Sequence, residues 1–364
     1  MAPTRRARVV AIVVAALVLV LLASSQSVVG AGRADAVGPR KSASAWLPYW
    51  DLHRAYRRVV SNADLFGTAS PFWYDAACTG VSGHPGAGNR AVIGGLHRHR
   101  IKVVPTVTSA GLTPTTAIRC LGSPGTRRRH VAALVGLSRS RAYDGIDINY
   151  EHLALTTSPA RALRVRRVFT VFVEQLCPAL RRAGKTCIVT VMPRRSDRPA
   201  VWRSKLMPAV YDYARIAAAA DRMRVMGYDQ HASGTRPGPV AGYPWVSAVT
   251  RYATSVAPAD KLELGIPLYG RDWVGRQATS LTAAGAVAQA RQRGVRPRLH
   301  ARQRETTYRY RSGGRRHTVW TSSSRAVGAR VGLARRHGLA GVAFWAPGME
   351  APRTWPAVRA RLRS

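Results

Sequence analysis

From residue 37 onward two patterns of apolar and polar positions alternate along the chain. Short runs rich in β-branched residues are followed by longer stretches whose apolar positions recur at helical spacing. This alternation is the mark of βα units built around a parallel sheet. Eight candidate strands fall at 44–49, 68–73, 102–107, 145–150, 187–192, 222–228, 262–267 and 341–345. Helical stretches between them include 161–183 and 322–337. Eight strands over this length predict an α/β fold closed into a (β/α)8 TIM barrel. A doubly wound open sheet is the rival, but no glycine-rich dinucleotide loop follows the first strand. The interval between strands seven and eight is long. Within it, 306–310 and 317–320 flank Gly313-Gly314, which predicts a hairpin. A small insertion on the barrel's upper rim is therefore expected at 274–338, holding that hairpin and the last helix.

The first 36 residues follow a different pattern. Arg5, Arg6 and Arg8 precede an apolar run over 9–22, and small and polar residues come next. That order is the order of a secretory signal peptide. The run is shorter than the roughly 20 residues a bilayer span needs, although a retained membrane anchor is the alternative. The expectation is a secreted, extracellular protein whose residues 37–364 form the barrel. Export would allow Cys78, Cys120, Cys177 and Cys187 to oxidise. None forms a C-x-x-C pair, which argues against zinc. Their order suggests Cys78–Cys120 and Cys177–Cys187, with free buried thiols as the alternative. Nothing in the sequence implies a metal or a cofactor.

Charge changes the picture next. The chain holds 57 basic residues against 17 acidic ones, a formal net charge of +40. Such a surface attracts polyanions. The arginines are scattered and no nucleic-acid module accompanies them. The reading is thus compositional bias with an electrostatic association to an anionic cell wall, and no nucleic-acid target is expected.

Where acids are so few, their placement is informative. Asp144, Asp147 and Glu151 lie within eight residues, on the fourth candidate strand. A strand alternates faces, so Asp147, Asn149 and Glu151 share one and Ile146, Ile148 and Tyr150 the other. The apolar set belongs against the helices, which turns the polar row into the barrel. Asp144 has the opposite parity and sits at the strand's entry, where a structural hydrogen-bonding role is expected. Desolvation and a nearby like charge both raise a carboxyl pKa. Glu151 is uppermost, so it is the candidate general acid. A polar ladder that only braces the barrel is the alternative, at a high cost in buried polar groups. In such a barrel the site lies at the carboxyl ends of the strands. The residues there include Trp46 to Asp51, Trp73 to Asp75, Pro193, Tyr228 to Gln230, Tyr269 and Trp345. Aromatic faces and carboxylate or amide groups together suit sugar rings.

The row Asp144-Gly145-Ile146-Asp147-Ile148-Asn149-Tyr150-Glu151 resembles the D-G-x-D-x-D-x-E signature of glycoside hydrolase family 18, a family of chitinases, endo-β-N-acetylglucosaminidases and peptidoglycan-lytic relatives. Other matches follow in chain order. Trp46-Leu-Pro-Tyr-Trp50 resembles the first strand of the spore-cortex-lytic and chitobiase-like branch. Met226-Gly-Tyr228-Asp229-Gln230, Leu264-Gly-Ile-Pro-Leu-Tyr269-Gly-Arg271-Asp-Trp273 and Gly341-Val-Ala-Phe-Trp345 resemble its motifs on strands six, seven and eight. The resemblance implies cleavage of β-1,4 bonds next to N-acetylglucosamine-type sugars, in chitin oligomers or peptidoglycan glycan. It implies a retaining, substrate-assisted mechanism, an exception to the two-carboxylate scheme. Glu151 would be acid and base, with Asp147 and Asn149 beneath it. Tyr228 would hold the acetamido oxygen and Trp345 would floor the reactive subsite. Asp229, Tyr269, Met226, Gln230 and Trp50 would line the groove, while Asp144 and Gly145 would be structural.

One position departs from the pattern: the third aspartate is Asn149. An amide oxygen can accept the acetamido N–H but supplies no negative charge, and charge assistance roughly doubles such a bond. A slower enzyme or a shifted pH profile is expected. The alternatives are a non-catalytic, lectin-like sugar-binding barrel and a basic wall-adhesion protein. No H-E-x-x-H, phosphate-loop or G-x-S-x-G motif offers other chemistry. His152 beside Glu151 reads either as a tuning group or as a loop histidine.

Overall fold

The computed structural model describes residues 42–201 and 206–363. The expected export segment lies outside them. The eight barrel strands are Ala43–Pro48, Phe66–Ala76, an interrupted third strand at Lys102–Val103 and Thr106–Thr108, Gly145–Asn149, Thr186–Val191, Arg222–Val225, Leu262–Pro267 and Gly341–Trp345. Each pairs in parallel with its neighbours, and strand one pairs with both strand two and strand eight, closing the cylinder. The break in strand three falls at Val104-Pro105. Proline has no N–H to give a ladder, although its carbonyl still accepts from Asp147 N at 3.0 Å.

Parity on strand four packs the outer layer. Ile146, Ile148 and Tyr150 are fully buried. Tyr150 stacks on Phe172 at 5.8 Å and 7°, within the helix Pro159–Arg182. Its hydroxyl lies 2.7 Å from His130 Nε2, on the helix Pro124–Ser140. Gly145 is needed where strands four and five meet, because a Cβ there would fall 2.2 Å from Thr186 O. The cysteines pair as Cys78–Cys120 and Cys177–Cys187, and the second pair ties the end of that long helix to strand five.

The region between strands seven and eight differs from the expected 274–338. Only Leu268 separates strand seven from the next strand, Tyr269–Val274, so the chain leaves the barrel earlier than the pattern indicated. A five-stranded antiparallel sheet follows, ending with Glu305–Ser312 and Arg315–Thr321 around Gly313-Gly314. Both glycines have positive φ, as a tight hairpin of this kind requires. The helix Ala283–Gln292 packs on one face through Tyr308, whose hydroxyl donates to Ala286 O and Gln289 Oε1. The helix Ser324–Arg336, expected at the end of the insertion, is not part of it. It belongs to the barrel's outer layer, where it packs on Thr354–Arg363.

Candidate active site

The lumen is polar where strands four, six and seven meet. Asp147 is fully buried and accepts from Trp46 Nε1 at 2.9 Å, Thr106 Oγ1 at 2.9 Å, Thr190 Oγ1 at 2.8 Å and Arg224 at 3.3 Å. Arg224, also fully buried, donates through Nε to Glu263 at 2.6 Å and through Nη1 to Ser70 Oγ at 2.7 Å. Burial works against its charge, but Glu263 and Asp147 hold its pKa above the usual value. The sequence reading placed Asp147 as a nearby like charge beneath Glu151. Arg224 changes that: Asp147 is neutralised from across the barrel and does not line the cleft above. The parity of strand six carried the signal, since Arg224, Met226 and Tyr228 share a face. A charged residue in a strand is ordinarily read as solvent-facing.

Above this network opens a cleft of about 480 Å3. Its lining brings together Asn149, Glu151, Met226, Tyr228, Asp229, Trp345 and Trp50 from the carboxyl ends of strands one, four, six and eight, and Tyr269 from the insertion strand Tyr269–Val274. The same cleft takes in Phe72, Arg271, Met349 and residues 280–282 of the insertion, which sequence reasoning had not assigned. Gln230 is elsewhere. Its Oε1 accepts from Gly242 N at 2.9 Å, so it braces the loop after strand six instead of lining the cleft.

Glu151 opens the short helical turn Glu151–Ala154 that ends strand four. Asn149 Nδ2 donates to Glu151 Oε1 at 2.8 Å, while Asn149 Oδ1 is buried without a partner. Tyr228 is a neutral donor. Burial, then the negative charges of Glu151, Asp229 and Asp147, push its pKa well above the phenol range. Asp229 follows it in a left-handed conformation (φ 62°), which Asp tolerates better than most residues. Arg271 donates to its Oδ1 at 2.6 Å and Tyr269 OH at 2.5 Å, which commits that carboxylate to fixed donors. Trp345 meets Phe72 edge-on at 4.7 Å, with Trp50 tilted against it at 6.1 Å and exposed to solvent. Away from the cleft, Asp144 Oδ2 takes Val103 N at 2.7 Å and contacts His97 at 2.9 Å, the structural role its parity suggested. His152 is tied to Ser109 through its backbone N–H and its ring.

Known proteins resemble this chain in sequence and fold. The model for glycosyl hydrolases family 18 matches residues 99–350. The chain belongs to family 18. A Bacillus subtilis relative named as a sporulation-specific glycosylase is 26% identical over 251 residues, covering 67% of this chain and 56% of the relative. The cortical fragment-lytic enzyme of Bacillus subtilis is 25% identical over 236 residues, covering 63% and 52%. The chain thus spans about half the length of these relatives. The crystal structure of a chitinase from Chromobacterium violaceum superposes with a TM-score of 0.78 at 27% identity, over 89% of this chain and 99% of that one.

Proposed function

We propose that the chain is an exported enzyme that cleaves β-1,4 bonds beside N-acetylglucosamine-type sugars, with retention and with help from the substrate's own acetamido group. The observation that carries this reading is the meeting of Glu151, Tyr228 and Trp345 in one cleft. The other carboxylates are spoken for: Asp147 is saturated by donors below the cleft, and Asp229 is held by Arg271 and Tyr269. A nucleophile drawn from the sugar itself fits that arrangement and gains from intramolecular proximity.

Glu151 protonates the bridge oxygen as the acetamido oxygen attacks the anomeric carbon. The C–O bond breaks, a cyclic oxazolinium forms, and the leaving sugar keeps the proton. Tyr228 donates to the acetamido oxygen and orients it. Glu151, now ionised, takes a proton from water, which opens the ring from the face the leaving group vacated. The product keeps its β configuration and Glu151 regains its proton. The chitinase and cortex-lytic relatives support chitin oligomers or peptidoglycan glycan as substrates, and the +40 charge supports association with an anionic wall.

The test is incubation with a panel of N-acetylated glycans, read by mass spectrometry and by proton NMR of the first-formed anomer. Reducing-end products with initial β configuration, absent with Glu151→Gln, are expected. An initial α product would exclude the retaining route. Binding by both proteins with hydrolysis by neither would leave a lectin.

A further inference from the structure

Beside the main cleft lies a small pocket that shares Glu151, Met226, Tyr228 and Asp229 with it and is otherwise lined by Met192, Pro193 and Leu206. Pro193 also lines a second cleft of about 360 Å3, whose wall holds Arg194, Arg195, Arg198 and Trp245 but, among the described residues, no acidic one. The three arginines differ in role. Arg194 is buried, bonded to Tyr211 O at 2.7 Å and to Asp197 at 3.0 Å, with its guanidinium over the rings of Tyr213 and Tyr252. Asp197 is also held by Tyr252 OH at 2.7 Å, and that bond together with Arg194 lowers its pKa. Arg194 is therefore a strut that fixes the loop and satisfies the neighbouring acid. Arg195 and Arg198 are exposed, and among the described residues neither has an acidic partner.

We propose that this arginine cleft is a subsite for a carboxylate carried by the glycan near the cleaved bond, which selects acidic N-acetylated glycans over neutral chitin oligomers. The inference rests on the glycosidase reading and adds a substrate class to it. Most arginines of this chain contribute to a diffuse field that salt screens within about 10 Å. Arg195 and Arg198 are different because they face a concavity that shares Pro193 with the pocket lined by Glu151. A planar guanidinium there pairs with a carboxylate through two parallel N–H donors. Trp245 supplies an apolar wall for the carbon skeleton that bears the acid.

The test compares three substrates of equal length: a peptidoglycan-type glycan with free carboxylates, the same glycan with those carboxylates amidated, and a neutral chitooligosaccharide. Wild type is expected to favour the free acid over the amide in kcat/KM by roughly tenfold, the size two partly exposed ion pairs allow. The double variant Arg195→Ser/Arg198→Ser should lose that preference, with unchanged circular dichroism and melting temperature. If wild type cleaves all three without preference, or the variant keeps the preference, the subsite is wrong and the glycosidase reading stands. A preference that follows a phosphate substituent instead of the carboxylate also overturns it. If none of the three is cleaved, the underlying reading fails. Calorimetric binding of the free-acid and amidated glycans then decides the subsite by itself.

Discussion

Carboxylates occupy both the depth and the mouth of this barrel, and the two places use them in opposite ways. In the depth, Asp147 and Glu263 are saturated by Trp46, Thr106, Thr190, Ser44 and the shared Arg224. These bonds, with that of Arg224 to Ser70, tie strands one, two, three, four, five, six and seven together across the lumen. At the mouth, Glu151 lines an open cleft and has Asn149 as a neighbour that can both give and accept a hydrogen bond. The depth carries fold, the mouth carries chemistry, and only one residue separates Asp147 from Asn149 on the same face.

The sharpest way to break this division is to change one group in each region. Glu151→Gln removes the proton donor and keeps the shape. It should lower kcat by about 10^3-fold or more, within the range assigned to general acid–base catalysis, while the urea midpoint stays within error. A large loss of stability would mean that the mouth carries fold as well. Arg224→Met does the converse. It leaves Asp147 and Glu263 buried without their shared cation, a loss of the order of 3–5 kcal/mol when one partner of a buried pair is removed. Denaturant unfolding checks it. A variant as stable as wild type would show that the polar lumen is dispensable to the fold.

A third measurement probes the packing outside the strands. His130 is buried against Tyr150 and Phe172, and desolvation lowers its pKa from 6.5 to about 4. The folded protein thus favours neutral imidazole, whereas the unfolded chain takes up a proton below pH 6.5. Stability from this residue is full above pH 6.5 and drains away as pH falls toward 4. The total is about 3 kcal/mol at 1.36 kcal/mol per pKa unit. His130→Phe should flatten the change in unfolding free energy over that window relative to wild type. Parallel curves for the two proteins would place the acid sensitivity elsewhere.

The same contrast explains what the sequence could reveal. Strand positions, the inward row on strand four and both cysteine pairs were legible, because period-two alternation and chain order report backbone geometry directly. Arg224 and Glu263 were not legible as lumen residues. Parity put Arg224 on the face of Met226 and Tyr228, but a single strand does not name the partners on three other strands that its charge meets. The insertion was visible as length and as a Gly-Gly hairpin, but its start was misplaced. Leu268 is the whole connection between a barrel strand and the insertion strand Tyr269–Val274, and the apolar pattern runs on through it. Gln230 looked like a groove residue because it follows Tyr228 and Asp229, yet a backbone amide of its own loop claims it.

The smallest change is the most informative about the mouth, since it alters one atom pair beside the acid. Asn149 gives Glu151 an N–H, and a donated hydrogen bond favours the charged carboxylate. That serves the base half of the cycle and works against the acid half, in which Glu151 must hold a proton. Asn149→Asp replaces the donor with a second carboxylate, and two such groups in contact retain one proton to higher pH than either would alone. The pair would supply a protonated Glu151 over a wider range and a negative charge beneath the acetamido N–H. Turnover on an N-acetylated oligosaccharide should rise by a few-fold, in line with the roughly twofold strengthening of a charge-assisted bond. The alkaline limb of the kcat profile should move to higher pH. A rate gain without that movement would assign Asn149 to the acetamide alone. Movement without a gain would assign it to Glu151 alone, and neither change would remove Asn149 from the reaction and leave it as lumen packing like Asp147 below it.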